Sequence, residues 1–296
     1  MMGLENKGIL CPRCQKFISN YVEECPSCGL RNPAKKRLLY KVAGLKKVGF
    51  VRGIITLNVV FFILSYLLPF LIPGLSSTGG RSTLGILPSP SSHTLYLMGW
   101  AGPKQILSGD WWLLITAIFL HGGLLHIFFN MMWVRDLGPI TETVFSPDKM
   151  FLIYILSGVV GNLTAVFWPL FQILVFNNQA MLSPVIGASG AVFGLMGAII
   201  AFGRKQGGIA GQRIVRQFGL WAIILIGMGF VIEGISNAAH IGGFLSGLII
   251  GFILNTRDSP KQAKFFSLLS TIILVATIFS FFRVWIKILP LFGFPN

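Results

Sequence analysis

The chain has 296 residues, of which 54% are apolar and 11% charged, and a formal net charge of +15. A soluble globular domain carries about 25% charged residues, so this composition, with a mean hydropathy of +0.76, excludes an ordinary soluble enzyme and indicates a polytopic membrane protein. The charge is not that of a nucleic-acid binder: 11 of the 24 Lys and Arg precede the first long apolar run, and the rest lie almost entirely between apolar runs, where such residues orient membrane helices.

Residues 1–34 are polar and hold all four cysteines, as Cys11-x-x-Cys14 and Cys25-x-x-Cys28. Two such pairs have zinc-knuckle spacing, and four thiolates make a closed tetrahedral site, which is structural. So small a module has little core, so Zn2+ is expected to supply its folding energy. No disulfide framework is indicated. No apolar signal-peptide core or organellar targeting segment opens the sequence, and the expected location is a bacterial plasma membrane. Residues 35–52 (Lys35, Lys36, Arg37, Lys41, Lys46, Lys47, Arg52) read as a basic juxtamembrane linker. Such a segment attracts anionic lipid headgroups by about 1 kcal/mol per basic residue.

Apolar runs follow at 53–73, 122–140, 149–169, 186–203, 215–233, 236–254 and 265–286, close to the roughly 20 residues a spanning helix needs. The first is expected to stop at Pro73-Gly74 and the third at Trp168-Pro169. A long Gly/Ser/Pro-rich loop, 74–110, separates the first two, and Trp111–Leu120 is assigned partly to it. Seven spans put 20 Lys and Arg on one side and four (Arg81, Lys104, Arg283, Lys287) on the other. Basic excess marks the cytoplasmic side, so the N-terminus is expected inside and the C-terminus outside. The absence of an internal repeat weighs against transporters built from repeats.

Polar groups inside hydrocarbon are costly and need a reason. The second span carries His121, His126 and Asn130, the last two on one helix face. The fourth opens on Gly187-Ala188-Ser189-Gly190. The sixth carries Asn237 and His240. No carboxylate is expected deep in any span; Glu233 sits at a helix end. A hydroxyl with an imidazole base is a minimal acyl-transfer set, and the topology puts both at similar depth. Gly243, Gly247 and Gly251 face a matching stripe of Gly190, Gly194 and Ala198, and small-xxx-small faces let backbones approach closely. The Ser189 backbone N–H, near a helix start, lacks an intrahelical acceptor. It is expected to join His126 and Asn130 as donors to a developing oxyanion.

These residues resemble the rhomboid intramembrane proteases. The resemblance rests on His126-x-x-x-Asn130, Gly187-Ala188-Ser189-Gly190 and Ala239-His240-Ile241-Gly242-Gly243 with Gly247, preceded by Gly109-Asp110-Trp111-Trp112 and His121-Gly122-Gly123. It covers about residues 50–256. It implies an all-α polytopic fold, with a six-helix core (53–256) plus a seventh C-terminal helix and tail (257–296), preceded by the zinc-ribbon-like module and linker. It also implies a Ser189–His240 dyad, an oxyanion site from Ser189, His126 and Asn130, and supporting roles for His121, Gly187, Gly190 and Gly243. The implied substrates are transmembrane proteins, and the fifth helix with the loop after it is the implied gate. Leu113 departs from the family, many members carrying Arg there; this bears on how the first loop is anchored, not on the catalytic set. The alternative function is a non-proteolytic rhomboid-like factor that binds membrane proteins. Relatives of that kind typically lack the Ser or the His. The zinc module is expected to touch a cytoplasmic protein partner rather than nucleic acid.

Overall fold

The long apolar runs form helices whose ends are set by glycine, proline and short polar caps. A computed structural model describes residues 8–11, 17–19, 21–34, 49–72, 89–177 and 182–292. Cys14, most of the basic linker, Pro73-Gly74 and residues 74–88 of the first loop lie outside the described residues. The chain divides into two units, 1–50 and 51–296.

In the first unit, β1 (Gly8–Leu10) pairs antiparallel with β2 (Phe17–Ser19), Ile9 opposite Ile18. The Cys25–Gly29 knuckle closes on itself: the Cys28 and Gly29 N–H groups donate to the Cys25 carbonyl at 3.3 and 2.9 Å. Cys11, Ile18, Cys25 and Leu30 are buried together.

The second unit is a helical bundle. Its long helices are α1 (Phe50–Leu71), α5 (Leu124–Phe145), α6 (Pro147–Phe176), α7 (Ser189–Gln206), α8 (Gly208–Met228), α9 (Asn237–Ile253) and α10 (Pro260–Ile288). Short helices α2 (Ser92–Leu97), α3 (Pro103–Leu107) and α4 (Leu113–Thr116), with a 3-10 turn at Ala117–Phe119, build the first loop. By length and composition α1, α6, α8 and α10 can each cross a membrane. The segment from α4 through the 3-10 turn joins α5 as a fifth candidate span, bent by 95°. The protein is thus a multi-pass, all-α membrane protein.

Several ends differ from the sequence expectation, each for a physical reason. Helix α6 passes through Pro169, because neighbouring groups can satisfy the backbone that a membrane proline frees. Helix α5 continues past residue 140 to Phe145 and so includes Glu142 as well as Asp136. Helix α8 begins at Gly208, not 215, and carries Arg213 and Arg216. Arg213 lies outside the run expected from the sequence because it is charged, yet a helix tolerates charge near its end. The turn before α8 is tight: Gly207 and Gly208 have φ of +64° and +60°.

Helices α6, α7 and α9 form the centre, and their contact is backbone on backbone. A Cβ on Gly243 would fall on the Gly190 carbonyl, and one on Gly247 on the Gly194 carbonyl. Gly251 meets Ala198 in the same register. Helix α6 joins the same junction: a Cβ on Gly161 would lie 3.2 Å from Gly190 Cα and 2.8 Å from the Ala239 oxygen. The expected small-residue stripe is therefore the packing seam, with α7 and α9 parallel.

Polar ties hold α10 to this core. Lys149 is wholly buried, and its Nζ lies 2.6 Å from both Asp258 Oδ1 and the Asn255 carbonyl. The Ser270 hydroxyl donates to Asp148 Oδ1 at 2.6 Å. Further along, the Phe281 ring stacks on Phe61 at 4.2 Å.

Gly243→Val is expected to lower stability by about 3 kcal/mol, since overpacking against backbone leaves no side chain free to move. Gly219→Ala, with nothing within 4 Å of the added Cβ, is expected to stay within about 1 kcal/mol of wild type. Thermal unfolding in detergent compares the two; equal midpoints for the glycine seam and the open site would contradict this packing.

Candidate active site and metal centre

Ser189 is the first residue of α7, and Ala188 at the N-cap makes no side-chain cap. The N–H groups of this first turn have no acceptor within the helix. The segment leading into α7 is pinned from the first loop. Ala101 and Val185 exchange backbone hydrogen bonds at 3.2 and 2.8 Å, and the Gly187 N–H donates to the Ala117 carbonyl at 2.8 Å.

His240 lies in the first turn of α9, which Ser236 caps by accepting from the Ala239 N–H at 3.2 Å. Its ring is 6% exposed and stacks on Phe193 with centroids 4.3 Å apart and planes 18° apart. Phe193 is four residues after Ser189, so the two share one face of α7. The imidazole therefore sits within about one helical turn, roughly 5 Å along the axis, of the Ser189 level. The backbone agrees: the Ala239 carbonyl, just before His240, lies 3.4 Å from where a Cβ on Gly190 would stand, just after Ser189. His240 Nδ1 is buried without a hydrogen-bond partner among the described residues.

His126 lies against Gly187, two residues before Ser189. Its Nε2 lies 2.7 Å from where a Cβ on Gly187 would stand. Gly187 also has φ of +121°, so both space and backbone angle require glycine there. The Gly122 N–H donates to His126 Nδ1 at 3.3 Å. A neutral imidazole that accepts at Nδ1 carries its proton on Nε2, so a donor faces the chain two residues before Ser189. Asn130 is buried on the same helix face, but its Nδ2 donates back to the His126 carbonyl at 2.8 Å. One amide hydrogen is thus committed to α5, and the other remains for a further acceptor. His121 is 1% exposed, and its ring meets His126 edge-on at 4.9 Å. It buttresses His126. Asn237, the first residue of α9, packs against Gly229 beyond the end of α8.

Between α5 and α8, Trp133 and Trp221 meet edge to face at 5.4 Å. Outer positions of α8, including Leu220, Ile223 and Met228, are exposed.

Sequence reasoning missed the ties around the first loop. Lys287 Nζ reaches Asp110 Oδ2 at 2.7 Å, and the Arg283 guanidinium lies 4.4 Å from the Trp112 ring centre. Neither pair has a periodic or motif signature, because the partners are more than 170 residues apart.

In the first unit, the sulfurs of Cys11, Cys25 and Cys28 all lie within 4.8 Å of one another, and those of Cys11 and Cys28 are 3.7 Å apart. A tetrahedral zinc with Zn–S bonds of about 2.3 Å requires sulfurs about 3.8 Å apart. The described thiols thus have the size of a zinc site; Cys14, the fourth expected ligand, lies outside the described residues.

With this geometry established, comparison with known proteins gives one family. A family model described as "Rhomboid domain" matches residues 108–257. "RHOMBOID-like protein 4" of Arabidopsis thaliana is 34% identical over 173 residues, covering 58% of this chain and 41% of that protein. "Rhomboid protease GluP" of Bacillus subtilis (strain 168) is 30% identical over 228 residues, covering 77% of this chain and 40% of that protein. "RHOMBOID-like protein 6, mitochondrial" of Arabidopsis thaliana is 36% identical over 179 residues, covering 60% and 54%. The chain thus spans about two-fifths to just over half the length of these relatives. It belongs to the rhomboid family.

If the thiol cluster holds zinc, purified full-length protein carries a single zinc per chain, and Cys25→Ser loses most of it. Elemental analysis of both proteins is the check; retention of zinc in Cys25→Ser would contradict the assignment.

Proposed function

We propose that this protein is an intramembrane serine endopeptidase that cleaves transmembrane or juxtamembrane segments of other membrane proteins through a Ser189–His240 dyad. What supports it most is the stacking of His240 on Phe193, the side chain one turn below Ser189 on the same face of α7. Membership of a family that includes a protein named "Rhomboid protease GluP" supports the same reading.

In this mechanism His240 takes the Ser189 hydroxyl proton as Oγ attacks a peptide carbonyl, forming a tetrahedral intermediate. The negative oxygen accepts hydrogen bonds from the Ser189 N–H, His126 Nε2–H and the uncommitted Asn130 amide hydrogen. The proton passes from His240 to the leaving amine, and the C–N bond breaks. Water, deprotonated by His240, then hydrolyses the ester and restores Ser189. Catalytic hydrogen bonds often tighten only when substrate binds. A substrate helix hides its carbonyls, so it must unwind near the cut. Small and helix-breaking residues there are favoured by resemblance to the family. The Trp133–Trp221 seam between α5 and α8 is the side through which such a helix would enter.

We assign the N-terminus to the cytoplasm and the C-terminus to the outside on the distribution of Lys and Arg. Seven crossings are proposed, with α7 and α9 spanning as part of the bundle. Zn2+, held by Cys11, Cys14, Cys25 and Cys28, would be structural: it would fix the N-terminal module, which we assign to a cytoplasmic protein partner. It takes no part in the peptide chemistry.

Ser189→Ala is expected to lower cleavage of a helix-containing reporter in liposomes by at least about 10³-fold, and His126→Ala by about 10²–10³-fold, at unchanged expression. A fluorophosphonate should label Ser189 in the wild type and not in His240→Ala. Cleavage that survives Ser189→Ala would end this proposal. Absence of both labelling and cleavage in the wild type would favour the non-proteolytic binding factor instead.

A further inference from the structure

The first loop carries no basic residue at Leu113, yet two cations reach it from α10. Lys287 Nζ donates to Asp110 Oδ1 and Oδ2 at 2.9 and 2.7 Å. Arg283 Cζ and Lys287 Nζ lie 4.4 and 5.2 Å from the centre of the Trp112 ring. Between these two residues, Val284 packs beneath Gly99: a Cβ on Gly99 would fall 2.8 Å from Val284 Cγ2. The Gly99 carbonyl in turn accepts from the Thr116 hydroxyl at 2.7 Å.

The far side of the same loop holds the approach to Ser189. Ala101 is paired with Val185, and Ala117 accepts from the Gly187 N–H. A continuous set of contacts therefore runs from α10 through Asp110 and Trp112, along α4 and its 3-10 turn, to Gly187.

We propose that Arg283 and Lys287 are positioning residues for the site: by clamping Asp110 and Trp112 they hold the first loop in the register that fixes Val185–Gly187 and hence the Ser189 backbone. Their effect on catalysis rests on the Ser189 reading; their effect on the loop does not. A half-exposed ion pair alone contributes little. Here the carboxylate contact and the cation–ring contacts act on neighbouring residues of one short loop, so they restrain it jointly. Arginine can serve either position, whereas methionine keeps the apolar stem and removes the charge.

The test uses the full-length protein in detergent and in liposomes, as wild type, Lys287→Met, the double variant Arg283→Met/Lys287→Met, and Lys287→Arg. Hydrogen exchange is read on peptides covering 182–189, with 147–158 as a reference, alongside kcat and KM for a helix-containing reporter. Exchange in 182–189 should rise about tenfold in the double variant, less in Lys287→Met, and stay at the wild-type level in Lys287→Arg. The reference peptide should not change, and kcat should fall about tenfold with KM nearly constant. Unchanged exchange in 182–189 in the double variant would overturn the clamp, as would an equal rise in the reference peptide. If exchange rises as expected but the wild type neither cleaves nor takes a fluorophosphonate, the loop clamp stands and the serine-protease reading fails.

Discussion

The contact on which the rest of this structure depends is the backbone-to-backbone meeting of α6, α7 and α9. In a bilayer, helices gain no hydrophobic energy by leaving lipid for one another, so close packing of small residues has to draw them together. Gly161, Gly190, Gly194, Gly243 and Gly247 let main-chain atoms touch main-chain atoms, and a side chain at most of them would strike a carbonyl rather than a movable group. The same contact holds the two candidate residues on facing helices, because Ser189 precedes Gly190 and His240 follows Ala239.

Around that seam, polar groups serve at the ends of elements. Ser236 and Ser259 cap α9 and α10, the latter as a full capping box with Gln262. Buried Lys149 joins the start of α6 to Asp258 before α10, where removal of either partner would strand a charge in a medium that solvates it poorly. The opposite end of α10 meets Asp110 and Trp112. Helix α10 is therefore tied at both ends to elements that frame the core. The first loop, which carries Ala101 and Ala117 to the segment before Ser189, lies between this helix and the site.

Much of this is legible in the amino-acid sequence for identifiable reasons. Glycines at four-residue spacing form a stripe on one helix face, so the matching stripes of Gly243, Gly247 and Gly251 and of Gly190, Gly194 and Ala198 are visible in the sequence, and the structure sets them against each other. Hydrophobic runs locate the long helices, because the bilayer forces polar punctuation between them. Proline and charge mislead where they are tolerated: Pro169 sits inside α6, and Arg213 lies on α8 rather than in a loop. The 95° bend between α4 and α5 is hidden, since His121, Gly122 and Gly123 mark a break but not its angle. Asn130 is expected to face the oxyanion, and one of its amide hydrogens is instead bound to the His126 carbonyl. The Lys287–Asp110 and Lys149–Asp258 pairs join residues more than 100 positions apart, and no local pattern encodes them.

The most direct test of the central geometry is disulfide trapping in the full-length protein. A disulfide requires Cα atoms within about 7 Å, so it tests whether the positions flanking the Gly190–Ala239 contact face each other. Ser189→Cys/His240→Cys should cross-link between α7 and α9 under mild oxidation, as read by mass spectrometry of the linked peptides, without loss of fold. Failure of that pair to cross-link, with Ser189→Cys linking readily to a cysteine placed at exposed Leu245 instead, would contradict it.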